Sequence, residues 1–216
     1  MAIRGVRYFF LSASFVVFSG CACRKPTNLS HARKHVVTYR EKGCFKRELE
    51  QVVKKAERYF SRLPVTPRST VVFDVDDTVI SSYEHAKKIE FGYVPKLNHE
   101  WVLTADAPRI EPTSRLYHRL KELGYRIIFM TGRHANEREA TLRNLRDIGI
   151  ADFERLITRS SAEAHVSALD YKIGQRKLLA AEGYVIVGTV GDQWSDLKGP
   201  YAGKRFKIPN YMYIIK

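Results

Sequence analysis

Thr70-Val71-Val72-Phe73-Asp74-Val75-Asp76-Asp77-Thr78 decides the fold. A short apolar, β-branched run reads as a strand buried on both faces, and a cluster of acids follows at once. Downstream the pattern alternates. Helices are expected over 113–123, with Leu116, Leu120 and Leu123 as the apolar side, over 136–148, and over 170–182, stopped by Gly183. Strands are expected over 125–130, 155–158, 184–190 and 205–208, the last running into Pro209. Strand–helix alternation at this spacing means parallel strands joined by right-handed crossovers, an α/β fold with a Rossmann-like sheet flanked by helices.

Polar residues gather where these strands end. Asp74, Asp76 and Asp77 follow the first strand, Thr131 and Arg133 the second, and Asp192 and Asp196 the strand over 184–190. Lys172 opens the helix before that strand. In a parallel sheet all carboxyl ends share one edge, and ligands sit there. Several carboxylates in one place repel unless a cation neutralises them. Oxygen ligands without His or Cys favour a hard ion such as magnesium (Mg2+), and an open magnesium site attracts phosphate. Thr131 and Lys172 suit the phosphoryl oxygens. One carboxylate held against phosphorus can act as nucleophile, and a second two residues along as general acid and base.

In sequence order, Phe73-Asp74-Val75-Asp76-Asp77-Thr78, Met130-Thr131-Gly132-Arg133, Lys172 and Gly191-Asp192-Gln193-Trp194-Ser195-Asp196 resemble the four signatures of the haloacid dehalogenase (HAD) superfamily. Tyr171, Arg176, Glu182-Gly183-Tyr184, Phe206-Lys207-Ile208-Pro209-Asn210 and Met212-Tyr213 extend the resemblance to the acid phosphatases of subfamily IIIB, which include plant vegetative storage proteins and bacterial acid phosphatases. The resemblance spans 45–216. It implies that Asp74 is the nucleophile and a metal ligand, and that Asp76 is the general acid/base and ligates through its backbone carbonyl. It implies that Thr131 holds the phosphoryl group, Lys172 balances charge, Asp192 ligates magnesium and Asp196 supports the ion. Asp77 stands where relatives often carry Glu.

The segment 82–112 breaks the alternation directly after the first strand. Its Tyr83, Phe91, Tyr93 and Trp101 suit a cap over the site or an excursion burying its own aromatics. As a cap, Tyr83, Tyr93 and Trp101 are candidates to sandwich a nucleobase or aromatic alcohol. Arg133 suits either a phosphate or an ion pair. Trp194 is expected to pack within its loop, and the histidines to be surface or satisfied residues.

Upstream, Phe45, Leu49, Val52, Val53, Ala56, Phe60 and Leu63 form one stripe of a helix over 45–63, ended by Pro64 and Pro67. Residues 24–44 read as an aperiodic basic tether, so the expected division is a leader over 1–20, a tether over 21–44 and the phosphatase domain over 45–216. The chain has 216 residues, enough for one cored domain with a modest insertion. Net charge is +14, and the Lys/Arg excess over Glu across 21–68 accounts for nine of it. Such a segment suits a solvated helix face or anionic lipid. No aromatic and basic stripe argues for a nucleic acid polymer as partner.

Arg4 and Arg7, the apolar stretch 8–18 and Ser19-Gly20-Cys21 read as an export leader whose cysteine becomes lipidated, with Phe18 where an aliphatic residue is usual. Export to a membrane-anchored, periplasmic or extracellular site follows, and there Cys23 and Cys44 have the option of pairing. The expected partner is a small phosphorylated substrate. The sequence leaves monomer and homodimer open. Two other readings compete with hydrolysis: a surface lipoprotein that keeps the fold for binding, and phosphotransfer to an alcohol.

Overall fold

The structure is a computed structural model that describes residues 25–215, so the leader, Cys21 and Cys23 lie outside the described residues. Five strands form one parallel sheet: β1 (Ser69–Phe73), β2 (Arg126–His134), β3 (Arg155–Arg159), β4 (Val185–Gly191) and β5 (Lys204–Lys207), in the order β3-β2-β1-β4-β5. The order reverses at β1, which pairs with β2 on one side and β4 on the other. The carboxyl end of β1 is therefore the topological switch point, where such sheets open a crevice.

Successive side chains of a strand face opposite ways. Val71 and Phe73 join Ile127 and Phe129 in the larger core, while Val72 joins Ile128 and Met130 beneath Leu179 on the other face. Helix α2 (Cys44–Phe60) covers the first face with Phe45, Leu49, Val53, Ala56 and Phe60, a stripe that recurs at three- and four-residue steps. Helix α5 (Glu111–Glu122) packs beside it, and α7 (Ala168–Ala181) brings Leu179 to the opposite face. Helix α6 (Arg138–Asp147) links β2 to β3, and the short α8 (Trp194–Leu197) follows β4.

The expected tether takes a different form. Residues Leu29–Glu41 form helix α1, with Asn28 Oδ1 accepting from the Ser30 and His31 amides at its start. No residue of α1 is buried, so it lacks the stripe by which a helix is read from sequence. Polar side chains hold it instead. The Tyr39 phenol donates to Glu48, Arg40 lies 3.5 Å over the Phe45 ring and donates to Ser81, and Glu41 accepts from Tyr83 and Lys87. The domain therefore begins before residue 45.

The insertion over 82–112 supplies α3 (Tyr83–Lys88) and α4 (Pro95–Thr104) before it runs into α5. Its ends are stitched together: Ser81 N donates to Pro108 O and Ile110 N to Val79 O, both at 2.8 Å. Arg143 and Asn144 of α6 bond the carbonyls of Leu103 and Ala107, which fixes the far end of α4 on the body.

Between β4 and β5 the backbones approach closely at Gly203 (φ +60°), where an added Cβ would lie 2.4 Å from the Val187 carbonyl carbon and 2.6 Å from Gly188 N. Backbone on both sides has no room to yield. Gly203→Ala is expected to destabilise the protein by about 2–4 kcal/mol, combining overpacking with the left-handed penalty. Urea unfolding checks it, as a lower midpoint at unchanged slope.

Candidate active site

The strand ends bring the predicted residues together. Asp74, Asp76, Thr131, Lys172, Asp192 and Asp196 all line one cavity of about 960 Å³ at the carboxyl edge of the sheet. At its floor lies a buried charge cluster. The Lys172 ammonium, projecting from the first turn and a half of α7, donates to Asp74 Oδ1 at 2.5 Å and to Asp196 Oδ1 at 2.6 Å. Asp74, Asp192 and Asp196 offer carboxylate oxygens within 4.8 Å of one another, all three buried.

Local structure holds each carboxylate. The Asp74 amide donates to Val190 O, continuing the β1–β4 ladder one residue past the strand. Asp196 Oδ2 accepts from the Gln193 amide at 2.8 Å, closing a capping turn at the start of α8. That carboxylate folds back over Gly191, where any Cβ would sit 2.5 Å from Asp196 Oδ2, so only glycine fits. Asp192 Oδ2 accepts from Gln193 Nε2 and Asn210 Nδ2, both at 2.6 Å, while its Oδ1 has a long contact of 3.4 Å from Thr78.

Three buried carboxylates face one ammonium. Burial raises the Asp74 carboxyl to about 7, Lys172 opposing and Asp196 adding to the rise. Burial and the neighbouring aspartates hold Asp192 well above the carboxylate range. A divalent cation would match the charge left over, and an all-oxygen donor set suits a hard one. Asp74 and Asp192 have oxygens to offer it. Asp196, with one oxygen on Lys172 and the other on a backbone amide, is placed to brace the cluster.

A family model, HAD superfamily subfamily IIIB (Acid phosphatase), matches residues 26–216. The chain belongs to this family. It is 37% identical over 179 residues to the stem 28 kDa glycoprotein of Glycine max, covering 80% of this chain and 70% of that protein. It is 34% identical over 177 residues to acid phosphatase 1 of Solanum lycopersicum, with 79% and 69% covered. The class C acid phosphatase from Bacillus anthracis has the same fold, with a TM-score of 0.71 at 20% identity over 86% of each chain. This subfamily IIIB chain is thus a phosphomonoesterase, of a family that uses a divalent metal.

Other residues of the phosphatase settle into roles the sequence left open. Arg133 takes the ion pair: its Nε and Nη2 grip both oxygens of Asp76 at 3.0 and 2.7 Å, and its Nη1 donates to Thr141. A two-pronged grip fixes the direction of that carboxylate, as a lone ammonium would not. The Asp76 carboxylate thereby stands apart from the triad of Asp74, Asp192 and Asp196. Asp77 has a structural task. At φ +52° its buried carboxylate accepts from the Ser82 amide, the Ser82 hydroxyl and the Tyr213 phenol, which folds the loop after β1.

The insertion does form a wall of the cavity, through Tyr93, Pro95, Asn98, His99 and Trp101. Tyr83 does not join the aromatic pair, because it is buried with its phenol on Glu41. Trp194 is a correction too: it is 52% exposed beneath Lys198 rather than packed. His85 departs from expectation, since its Nε2 is buried without a protein partner while the ring stacks on Trp101 at 5.0 Å. Asn210 and Tyr213 stood in the resemblance without a role. Only the folding of the carboxyl-terminal segment across the site shows that they orient Asp192 and Asp77.

The raised carboxyls predict how metal and pH interact. A carboxyl whose folded pKa exceeds its unfolded value stabilises the metal-free fold fully below the unfolded value, near 4, and that stabilisation is lost as pH rises through about 7. Metal replaces the proton. The rise in melting temperature on adding magnesium over chelator is therefore expected to be small at pH 4.5 and larger at pH 7.5, by roughly 2–4 °C for each kcal/mol gained. An equal rise at both values would count against this cluster as the metal site.

Proposed function

We propose that this chain is a magnesium-dependent acid phosphatase that hydrolyses phosphate monoesters through an aspartyl-phosphate on Asp74. The observation that carries the reading is the Lys172 bridge between Asp74 and Asp196 beside Asp192, at the floor of a cavity large enough for an organic ester. Asp74 and Asp192, with the Asp76 backbone carbonyl, would hold the metal, which would supply charge neutralisation on the phosphoryl oxygens.

In the first half-reaction an Asp74 oxygen bonds to phosphorus and the ester oxygen leaves, taking a proton from Asp76. The Thr131 hydroxyl, buried at the end of the β2 core run, donates to a phosphoryl oxygen. In the second half, Asp76 takes a proton from water as it attacks phosphorus, and the Asp74 carboxylate departs. Lys172 stabilises the negative charge on Asp74 and phosphate throughout. Arg133 holds Asp76 at the cavity and so acts as a positioning residue.

Tyr93 and Trp101 on the cap wall support a leaving group with an aromatic ring, nucleoside monophosphates included. The glycoprotein relatives support export, and Ser19-Gly20-Cys21 supports a lipid anchor at Cys21. Among the described residues no helix is long and apolar enough to cross a membrane. Labelling with a palmitate analogue tests the anchor, since Cys21→Ala must abolish incorporation.

Hydrolysis of an aryl phosphate at mildly acidic pH tests the reaction. Turnover is expected with magnesium and not with chelator, Asp74→Asn is expected to abolish it, and an acid quench should trap phosphate on the wild-type protein alone. Arg133→Lys is expected to lower kcat about 10- to 100-fold with a smaller change in KM, because the carboxylate loses its orientation. Full activity in Asp74→Asn would remove the covalent mechanism. No turnover by folded, magnesium-loaded protein would favour a binding lipoprotein.

A further inference from the structure

The cap side of the cavity holds a histidine–carboxylate pair that the reaction described above does not use. His99 of α4 sets Nδ1 2.8 Å from Glu137 Oε1. Glu137 lies in the turn after β2 and is buried, with its other oxygen accepting the His134 amide at 2.8 Å. The carboxylate is thus held from the core side, and it in turn fixes the ring.

A carboxylate at Nδ1 holds an N–H there and turns Nε2 away from it. His99 lines the cavity with 39% of its side chain exposed, and among the described residues its Nε2 has no protein partner. Asn98 and Asn136 line the same wall. The cavity wall therefore presents an oriented ring nitrogen free to hydrogen-bond.

Charge decides what that nitrogen meets. Asp74, Asp76, Glu137, Asp192 and Asp196 line the cavity against Lys172 and Arg133, and both cations are already committed to carboxylates. A second anionic group on the substrate would enter a field of its own sign. A neutral hydroxyl has no such penalty, and it pairs with Nε2 in either protonation state, donating to the imidazole or accepting from the imidazolium.

We propose that His99, oriented by Glu137, is a specificity-determining residue whose Nε2 hydrogen-bonds a hydroxyl of the leaving group, so that polyhydroxylated phosphate esters are preferred over esters without hydroxyls. The proposal rests on the phosphatase reading. The rival role for the pair is only to latch α4 to the body.

The variant His99→Asn separates the two, because its amide nitrogen reproduces the Nδ1 donor to Glu137 and Nε2 is lost. The readout is the ratio of kcat/KM for glycerol phosphate to kcat/KM for phenyl phosphate. That ratio is expected to fall about tenfold, the loss of one good hydrogen bond, and to recover in part in His99→Gln, whose longer amide reaches the Nε2 position. An equal fall for both esters, or no change, overturns the proposal. Were the wild type to hydrolyse neither ester, the phosphatase reading would fail by itself, and nuclear magnetic resonance would still decide the role of His99. Titration with glycerol phosphate must shift the His99 Nε2 resonance beyond what inorganic phosphate does, and identical shifts overturn the proposal.

Discussion

Everything at the carboxyl edge depends on one buried ammonium. Lys172 is the only cation in direct contact with Asp74 and Asp196 among the described residues, and both contacts are within 2.6 Å. Removing one partner from a buried ion pair leaves an uncompensated charge, which costs far more than the pair returns in stability. The cluster therefore constrains its surroundings. Strand β1 must end where it does, α7 must start low enough for Lys172 to reach across, and the turn after β4 must fold Asp196 back over Gly191. A fold selected for stability alone would replace such a group with apolar side chains. Its presence at the switch point of the sheet suits a site for a divalent cation and an anion together.

The support around the cluster comes from elements far apart in sequence. Arg176, fully buried on α7, donates to the carbonyls of Asp196, Lys198 and Pro200, so the helix that delivers Lys172 also pins the loop that delivers Asp196. The carboxyl-terminal segment adds Asn210 against Asp192 and Tyr213 against Asp77, and the Ile215 amide donates to Gln193. Helix α1 reaches the same loop from the other side through Arg40 and Ser81. Both ends of the described chain thus bear on the Asp74–Ser82 loop, which couples the order of the site to the folding of the whole domain.

What the sequence disclosed follows from where physics writes periodic signals. The strand ends were legible because a run buried on both faces and followed at once by acids belongs at the edge of a parallel sheet, and four such places in order reinforce one another. Helix α2 was legible through its stripe. Helix α1 was not, because Tyr39, Arg40 and Glu41 hold it by side-chain hydrogen bonds and a ring contact, interactions with no period in sequence. The same limit hid the His99–Glu137 pair, whose members stand 38 residues apart on different elements. Trp194 was misread because its motif suggests a packed loop, whereas the capping turn of α8 leaves position 194 on the solvent side. Arg133 could be narrowed only to an ion pair or a phosphate, since a guanidinium at a strand end serves either equally until its neighbour is known.

On the proposed function, chemistry and selectivity fall to different parts of this fold. The groups proposed to react come from the sheet edge and α7, which are fixed by the core. The facing wall of the cavity comes from an insertion closed by two backbone hydrogen bonds and fastened to α6 by Arg143 and Asn144. Such an insertion can change its side chains without disturbing Asp74, because no backbone ladder ties α4 to β1. Arg133 is the exception. It grips Asp76 and also stands 5.6 Å from the Trp101 ring, so one guanidinium touches both the carboxylate expected to move the proton and the wall expected to meet the leaving group. A ligand that displaced Trp101 would change a contact of the same guanidinium that orients Asp76.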